Sequence, residues 1–130
     1  MPESIYHLGI FAGLEKEIID EILNSCELRN YNEKEILMME AEASNAEGYI
    51  IKHGRVSISI GGQKVAELAA WDMVGEIALL NEEARTATVT ALADTEVIIL
   101  TIDHLITMIN NDSNTINKEI MRRIEENLDR

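Results

Sequence analysis

The sequence predicts a mainly β domain with flanking helices, and two observations carry that prediction. Between residues 35 and 101, short apolar and β-branched runs alternate with polar residues, as in strands with one buried face. On either side of this region, apolar residues recur every three or four positions, the period of an amphipathic helix. A chain of 130 residues fits a single core. We therefore expect one domain spanning residues 1–130, in the order helix, β-roll, helix, helix.

The N-terminal segment, residues 1–30, is expected to be helical. Its acidic residues fall between apolar positions that repeat with helical spacing, so the acids face outward. The apolar stripe consists of Leu14, Ile18, Ile19, Ile22 and Leu23.

The central segment, residues 31–101, contains at least six short strand-like runs. Their lengths and spacing are typical of a barrel or sandwich and not of βαβ units. The runs are Ile36–Met38, Tyr49–Ile51, Val56–Ile60, Gln63–Leu68, Thr86–Leu92 and Glu96–Thr101.

Three turns are predicted between these runs. Gly61 and Gly62 join two alternating runs, which indicates a β-hairpin whose primed turn needs the positive φ that glycine supplies. The three residues 93–95 predict a second hairpin, between the last two runs. His53–Arg55, with a central glycine, indicates another tight turn.

The C-terminal segment, residues 102–130, returns to helical periodicity. A short helix is expected over Ile102–Ile109, capped by Thr101 or Asp103, and polar residues 110–113 then interrupt the pattern. A longer helix follows, and its stripe can pack on the β-roll or pair with a second copy in a dimer. That stripe consists of Ile116, Ile120, Ile124 and Leu128.

Charge and composition exclude several classes of function. The chain has 24 acidic and 11 basic residues, a net charge of -13, which disfavours binding to nucleic acid or to an anionic membrane. No segment is long and apolar enough to span a membrane. A single cysteine, Cys26, and an N-terminus unlike a signal peptide favour the cytoplasm. The three histidines are far apart in sequence, so no metal site is expected.

Residues 75–87 are the candidate binding site of the chain. The stretch opens with Gly75, continues through a short helical piece, and returns through Arg85 into a strand. Bare amides at a helix start and an arginine fork together suit a phosphate. Glu76 would repel that phosphate unless its carboxylate accepts a hydrogen bond from a neighbouring hydroxyl. The residue types therefore indicate a ribose phosphate.

The sequences Gly-Glu-Ile-Ala-Leu at 75–79 and Arg-Thr-Ala-Thr-Val at 85–89 resemble the phosphate-binding cassette of cyclic nucleotide-binding domains. That family includes the sensor domains of catabolite activator protein-like regulators, cyclic-nucleotide-dependent kinases and cyclic-nucleotide-gated channels. The resemblance implies a β-roll or jelly-roll barrel of about eight antiparallel strands. It also implies that the C-terminal helices act as a lid.

The resemblance further implies a binding site for cAMP or cGMP. Arg85 would pair with the exocyclic phosphate oxygens, and Glu76 would accept a hydrogen bond from the ribose 2′-hydroxyl. The amides of the two residues after Glu76 would face the phosphate, and Thr86 does not decide which base is bound. The residues implied at the ligand are Gly75, Glu76, Ile77, Ala78, Arg85, Thr86 and Ala87.

Together these observations predict a stand-alone regulatory domain that binds a cyclic nucleotide, performs no catalysis and uses neither metal nor cofactor. It would signal by moving residues 102–130, through a protein partner or self-association. One alternative is a degenerate fold that serves as an interaction or dimerisation module without ligand. Another is a small cupin-type enzyme, which would need a histidine cluster that three scattered histidines do not supply.

Overall fold

A computed structural model of the chain describes residues 2–42, 47–75, 85 and 87–110. Within these residues, three helical elements precede the first strand and one helix follows the last. The helices are α1 (Glu3–Tyr6), a 3-10 turn (Gly9–Phe11), α2 (Lys16–Ser25) and α3 (Ile102–Asn110). The strands are β1 (Glu27–Tyr31), β2 (Ile36–Met38), β3 (Gly48–His53), β4 (Arg55–Ile60), β5 (Gln63–Ala69), β6 (Met73–Val74), β7 (Thr88–Ala91) and β8 (Thr95–Leu100).

The eight strands form two four-stranded antiparallel sheets. The first sheet has the order β1-β8-β3-β6 and the second the order β2-β7-β4-β5. Across the described part of the chain no ladder joins one sheet to the other, so the sheets are not closed into a continuous barrel. The predicted mainly β class and the strand number are confirmed.

Two hydrophobic clusters lie on opposite faces of the first sheet. Tyr49 and Ile51 of β3 face the second sheet, whereas Ile50 between them packs against the helices. Strand β8 alternates in the same way, with Val97 and Ile99 facing inward. Because both faces of these two strands are covered, their sequences are apolar runs without polar alternation.

The N-terminal helical stripe is confirmed at α2. Ile19, Ile22 and Leu23 are buried in the cluster beneath the first sheet, and Leu14 and Ile18 pack partly buried against it. The helical segment is shorter than the predicted 1–30, since β1 begins at Glu27. None of the β1 side chains is fully buried, so the strand lacks the apolar alternation that would have indicated it.

The Gly61–Gly62 hairpin is also confirmed. Both glycines have positive φ, +61° and +81°, and β4 and β5 pair on either side of them. The predicted second hairpin is wrong, because β7 and β8 belong to different sheets. Residues 92–94 therefore connect the two sheets, and three intervening residues are as compatible with such a crossover as with a hairpin.

Two crossovers between the sheets lie against each other at Gly54. Gly54 connects β3 to β4 with φ +102°, and a Cβ there would lie 2.7 Å from the Asp94 carbonyl oxygen. The Arg55 carbonyl accepts hydrogen bonds from the Leu92 amide at 2.9 Å and the Thr95 hydroxyl at 3.2 Å. Glycine is needed here because both the backbone angle and the close approach exclude a side chain.

Helix α3 follows Thr101, as predicted, and its first turn is tied to α2. The Thr101 carbonyl accepts a hydrogen bond from the Leu105 amide at 3.2 Å, and the Thr101 amide donates to Nδ1 of His104 at 3.0 Å. Nε2 of His104 lies 3.6 Å from Sγ of Cys26, at the end of α2. Leu105 and Met108 are buried against the N-terminal helices. The second C-terminal helix, with its stripe from Ile116 to Leu128, lies outside the described residues.

Candidate functional site

The fold brings Gly75 and Arg85 into contact. Gly75 follows β6, with φ +74°, and Arg85 lies three residues before β7. A Cβ on Gly75 would lie 2.9 Å from Nη1 of Arg85, 3.0 Å from Cε of Met38 and 3.3 Å from the Glu47 carbonyl oxygen. Glycine thus fills two requirements at this position, a left-handed backbone and space for the guanidinium.

Arg85 is held by its backbone as well as its side chain. Its amide donates to the Glu42 carbonyl at 2.8 Å, and its carbonyl accepts from the Ala41 amide at 2.9 Å. Ala41 has φ +69°, a conformation that a residue with a Cβ adopts only where its surroundings enforce it. The turn after β2 therefore fixes the backbone position of Arg85.

The Arg85 side chain lies against β3 and the residue before that strand. The side chain is nearly enclosed, since only 6% of the residue is exposed. Nη2 donates to the Glu47 carbonyl at 3.1 Å, and Cζ lies 5.9 Å from the centre of the Tyr49 ring. Arginine is almost never fully buried unless it is paired. Its planar guanidinium matches the geometry of phosphate oxygens.

Glu47 connects Arg85 to the outer strand of the first sheet. Its carboxylate receives both terminal nitrogens of Arg29, with Nη1 3.2 Å from Oε1 and Nη2 3.3 Å from Oε2. The Tyr49 hydroxyl donates to Oε1 at 3.1 Å. One residue therefore contacts two arginines, one through its side chain and the other through its backbone.

Two kinds of feature were not found among the described residues, a metal-binding cluster and a membrane-spanning helix. Among them, no three His, Cys, Asp or Glu side chains are grouped so that they could hold a metal ion. None of their helices is both long and apolar enough to cross a bilayer. What the arrangement offers instead is a buried cation next to a glycine, which suits a small anion.

The structure places three of the seven residues implied at the ligand. Gly75 and Arg85 are in contact, and Ala87 is half-buried one residue before β7. The other four, Glu76, Ile77, Ala78 and Thr86, lie outside the described residues. The sequence did not indicate Glu47, because its contact with Arg85 uses a backbone carbonyl that any residue would supply.

A protein-family model matches most of the chain. The family model described as "Cyclic nucleotide-binding domain" matches residues 28–112, which include the β-roll, Gly75 and Arg85. The chain belongs to the cyclic nucleotide-binding domain family. Members of this family are regulatory modules and generally not catalysts.

A curated relative is the cGMP-dependent protein kinase of Toxoplasma gondii. It is 37% identical over 70 residues, which are 54% of this cyclic nucleotide-binding domain and 7% of the kinase. The domain thus corresponds to a small part of that protein.

Solved structures share the fold at low sequence identity. The N-terminal domain of a transcriptional regulator from Streptomyces coelicolor A3(2) has a TM-score of 0.75 at 20% identity, covering 98% of this chain and 90% of that one. The Thermus thermophilus catabolite activator protein has a TM-score of 0.71 at 23% identity, covering 97% and 56%. The cAMP-bound PfPKA-R has a TM-score of 0.73 at 22% identity, covering 96% and 42%.

Proposed function

We propose that this domain is a non-catalytic regulatory module that binds cAMP or cGMP at the site formed around Gly75 and Arg85. In this proposal Arg85 binds the exocyclic phosphate oxygens and Glu76 accepts a hydrogen bond from the ribose hydroxyl. The amides of Ile77 and Ala78 complete the phosphate contacts, and Thr86 and Ala87 add further contacts.

The observation that carries the proposal is the buried guanidinium of Arg85 against Gly75. In a chain with a net charge of -13, a long-range attraction for anions is lacking, so binding must come from short-range contacts. Only 6% of the Arg85 residue is exposed, so its side chain has already lost most of its hydration before it meets a phosphate. The relatives support a cyclic nucleotide as that phosphate, since one is a cGMP-dependent kinase and one structure is cAMP-bound.

We further propose that the ligand signals through the C-terminal helices, residues 102–130, to a protein partner or a second copy. The described part of that segment, α3, packs against the N-terminal helices through Leu105 and Met108. A ligand that prefers one position of the helices over another would shift their population. The single free thiol, Cys26, is compatible with the reducing cytoplasm that we propose as its location.

The proposal is tested by calorimetric titration of Arg85→Ala and Arg85→Lys with cAMP and cGMP. Arg85→Ala should weaken binding by about 2 to 4 kcal/mol, because the phosphate loses its charged partner. Arg85→Lys retains the charge without the fork and should bind with intermediate affinity.

Arg55→Ala is the matched control. Arg55 is exposed at the start of β4, so its removal changes the net charge equally without touching the site. Equal affinities of wild type and Arg85→Ala would show that Arg85 does not bind the ligand. Equal losses in Arg55→Ala and Arg85→Ala would show a general charge effect instead of a specific contact.

A further inference from the structure

We propose that Arg29 is a positioning residue for the nucleotide site, because its ion pair with Glu47 fixes the carbonyl that holds Arg85. This inference rests on the proposed function of Arg85 as the phosphate ligand. It assigns a role in that site to β1, a strand that contributes nothing to the stretch 75–87.

Arg29 lies on a strand that pairs with a buried strand of the first sheet. It lies in the middle of β1, where it is registered opposite Val97 of β8, and β8 is buried between β1 and β3. Its guanidinium reaches Glu47 with two nitrogens on two oxygens, at 3.2 and 3.3 Å. A bidentate pair of this kind restricts both the distance and the orientation of the carboxylate.

The ion pair between Arg29 and Glu47 is partly shielded from solvent. The Arg29 side chain is 34% exposed and the Glu47 side chain 19%, so water and salt weaken it less than a fully exposed pair. Hydrogen bonds with the Tyr31 hydroxyl and the Glu47 carboxylate raise the pKa of Arg29 above its already high ordinary value. Arg29 therefore remains charged at any physiological pH.

Glu47 transmits this constraint to Arg85 through its own backbone. Glu47 immediately precedes β3, and its carbonyl accepts Nη2 of Arg85 at 3.1 Å. The same carbonyl lies 3.3 Å from the Cβ position of Gly75, so a small rotation of the Glu47 peptide would change the space in which the guanidinium lies. Arg29 holds the carboxylate and thereby limits that rotation, with the Tyr49 hydroxyl as a second restraint at 3.1 Å.

The other ion pair of Arg29 provides a control. Nη2 of Arg29 also lies 3.3 Å from Oε2 of Glu27, an exposed residue two positions away on the same strand. Glu27→Gln removes this pair and leaves the path through Glu47 intact. It also changes the charge by the same amount as Arg29→Gln, in the opposite direction.

The test measures the order of the Arg85 guanidinium without ligand and the affinity with ligand. The Nε–Hε signal of Arg85 in an NMR spectrum is identified as the one missing from Arg85→Lys. In Arg29→Gln, its Hε should exchange with water at least about threefold faster, and cyclic nucleotide affinity should fall about three- to tenfold. Arg29→Lys should recover part of both losses, and Glu27→Gln should change neither.

Glu47→Gln gives a second route to the same answer, since it retains the carbonyl and removes only the carboxylate charge. The double variant Arg29→Gln/Glu47→Gln should lose no more affinity than either single variant. Unchanged Hε exchange and unchanged affinity in both Arg29→Gln and Glu47→Gln would overturn the inference, as would fully additive losses.

The two proposals fail in different ways. If the wild-type chain binds neither cAMP nor cGMP, the proposed function fails, while the Hε exchange of Arg85 still decides whether Arg29 positions it. If the wild type binds and both Arg29→Gln and Glu47→Gln have wild-type exchange and affinity, only the positioning role fails.

Discussion

Replacing Gly75 by alanine tests directly whether its close approach to Arg85 matters for binding. The new Cβ would lie 2.9 Å from Nη1 of Arg85 and 3.0 Å from Cε of Met38. The methionine tip can move aside because its side chain is flexible. The guanidinium is more restricted, because Nη2 is hydrogen-bonded to the Glu47 carbonyl at 3.1 Å.

Two separate costs follow from this substitution. A residue with a Cβ at φ +74° costs about 1 to 2 kcal/mol of stability relative to glycine. To reach an ordinary contact distance of about 3.5 Å, Nη1 must also move by roughly half an ångström. A charge-assisted hydrogen bond misplaced by that amount should lose about 1.4 kcal/mol, a tenfold fall in affinity.

Gly61→Ala separates the two costs. Gly61 has a similar φ, +61°, but apart from its chain neighbours no atom of the described residues lies within 4 Å of its Cβ position. Urea denaturation should show a loss of about 1 to 2 kcal/mol in Gly61→Ala and at least that much in Gly75→Ala, where the contact with Arg85 adds to the backbone cost. Calorimetry with cAMP or cGMP should show weaker binding only in Gly75→Ala. Equal affinity in Gly75→Ala and Gly61→Ala would refute the argument that Gly75 makes room for the ligand-binding arginine.

Three further predictions concern residues outside the site, namely His104, Cys26 and Gly54. Burial lowers the pKa of His104, so the unfolded chain takes up a proton at a higher pH than the folded chain. The free energy of unfolding should therefore decrease as pH falls below about 6.5, and His104→Gln should reduce that decrease in urea denaturation at pH 5.5 and 7.5. Burial raises the pKa of Cys26 to about 11, so iodoacetamide should alkylate it far more slowly at pH 7.5 than the urea-unfolded chain. Gly54→Ala should lower the free energy of unfolding by more than about 2 kcal/mol, because its Cβ would lie 2.7 Å from the Asp94 carbonyl oxygen; a loss equal to that of Gly61→Ala would contradict this.

Much of the fold follows from local sequence patterns. The α2 stripe, the Gly61–Gly62 hairpin and the strands β2 to β5 all have a local signal in apolar periodicity or glycine. The topology does not, because the choice between a hairpin and a crossover at residues 92–94 depends on contacts with Gly54, about forty residues away. Strand β1 has no such signal, because its pairing with β8 is made by backbone atoms and none of its side chains is fully buried.

The candidate site likewise contains residues that the sequence predicts and residues that it does not. The residue types and spacing predict Gly75 and Arg85, and the structure brings them into contact. Glu47 and Arg29 carry no such signal, because one acts through its carbonyl and the other is a common surface residue until the fold brings its guanidinium to the Glu47 carboxylate. Interactions between residues 18 positions apart become visible only when the topology is known.

The central claim is that the site around Arg85 binds a cyclic nucleotide, and calorimetric titration of the wild-type chain tests it most directly. With cAMP or cGMP, we expect saturable heat at a stoichiometry of about one ligand per chain, and the linear nucleotide 5′-AMP should give a much weaker response. Absence of heat with both cyclic nucleotides at high micromolar concentration would contradict the account, and the fold would then serve as an interaction module without ligand.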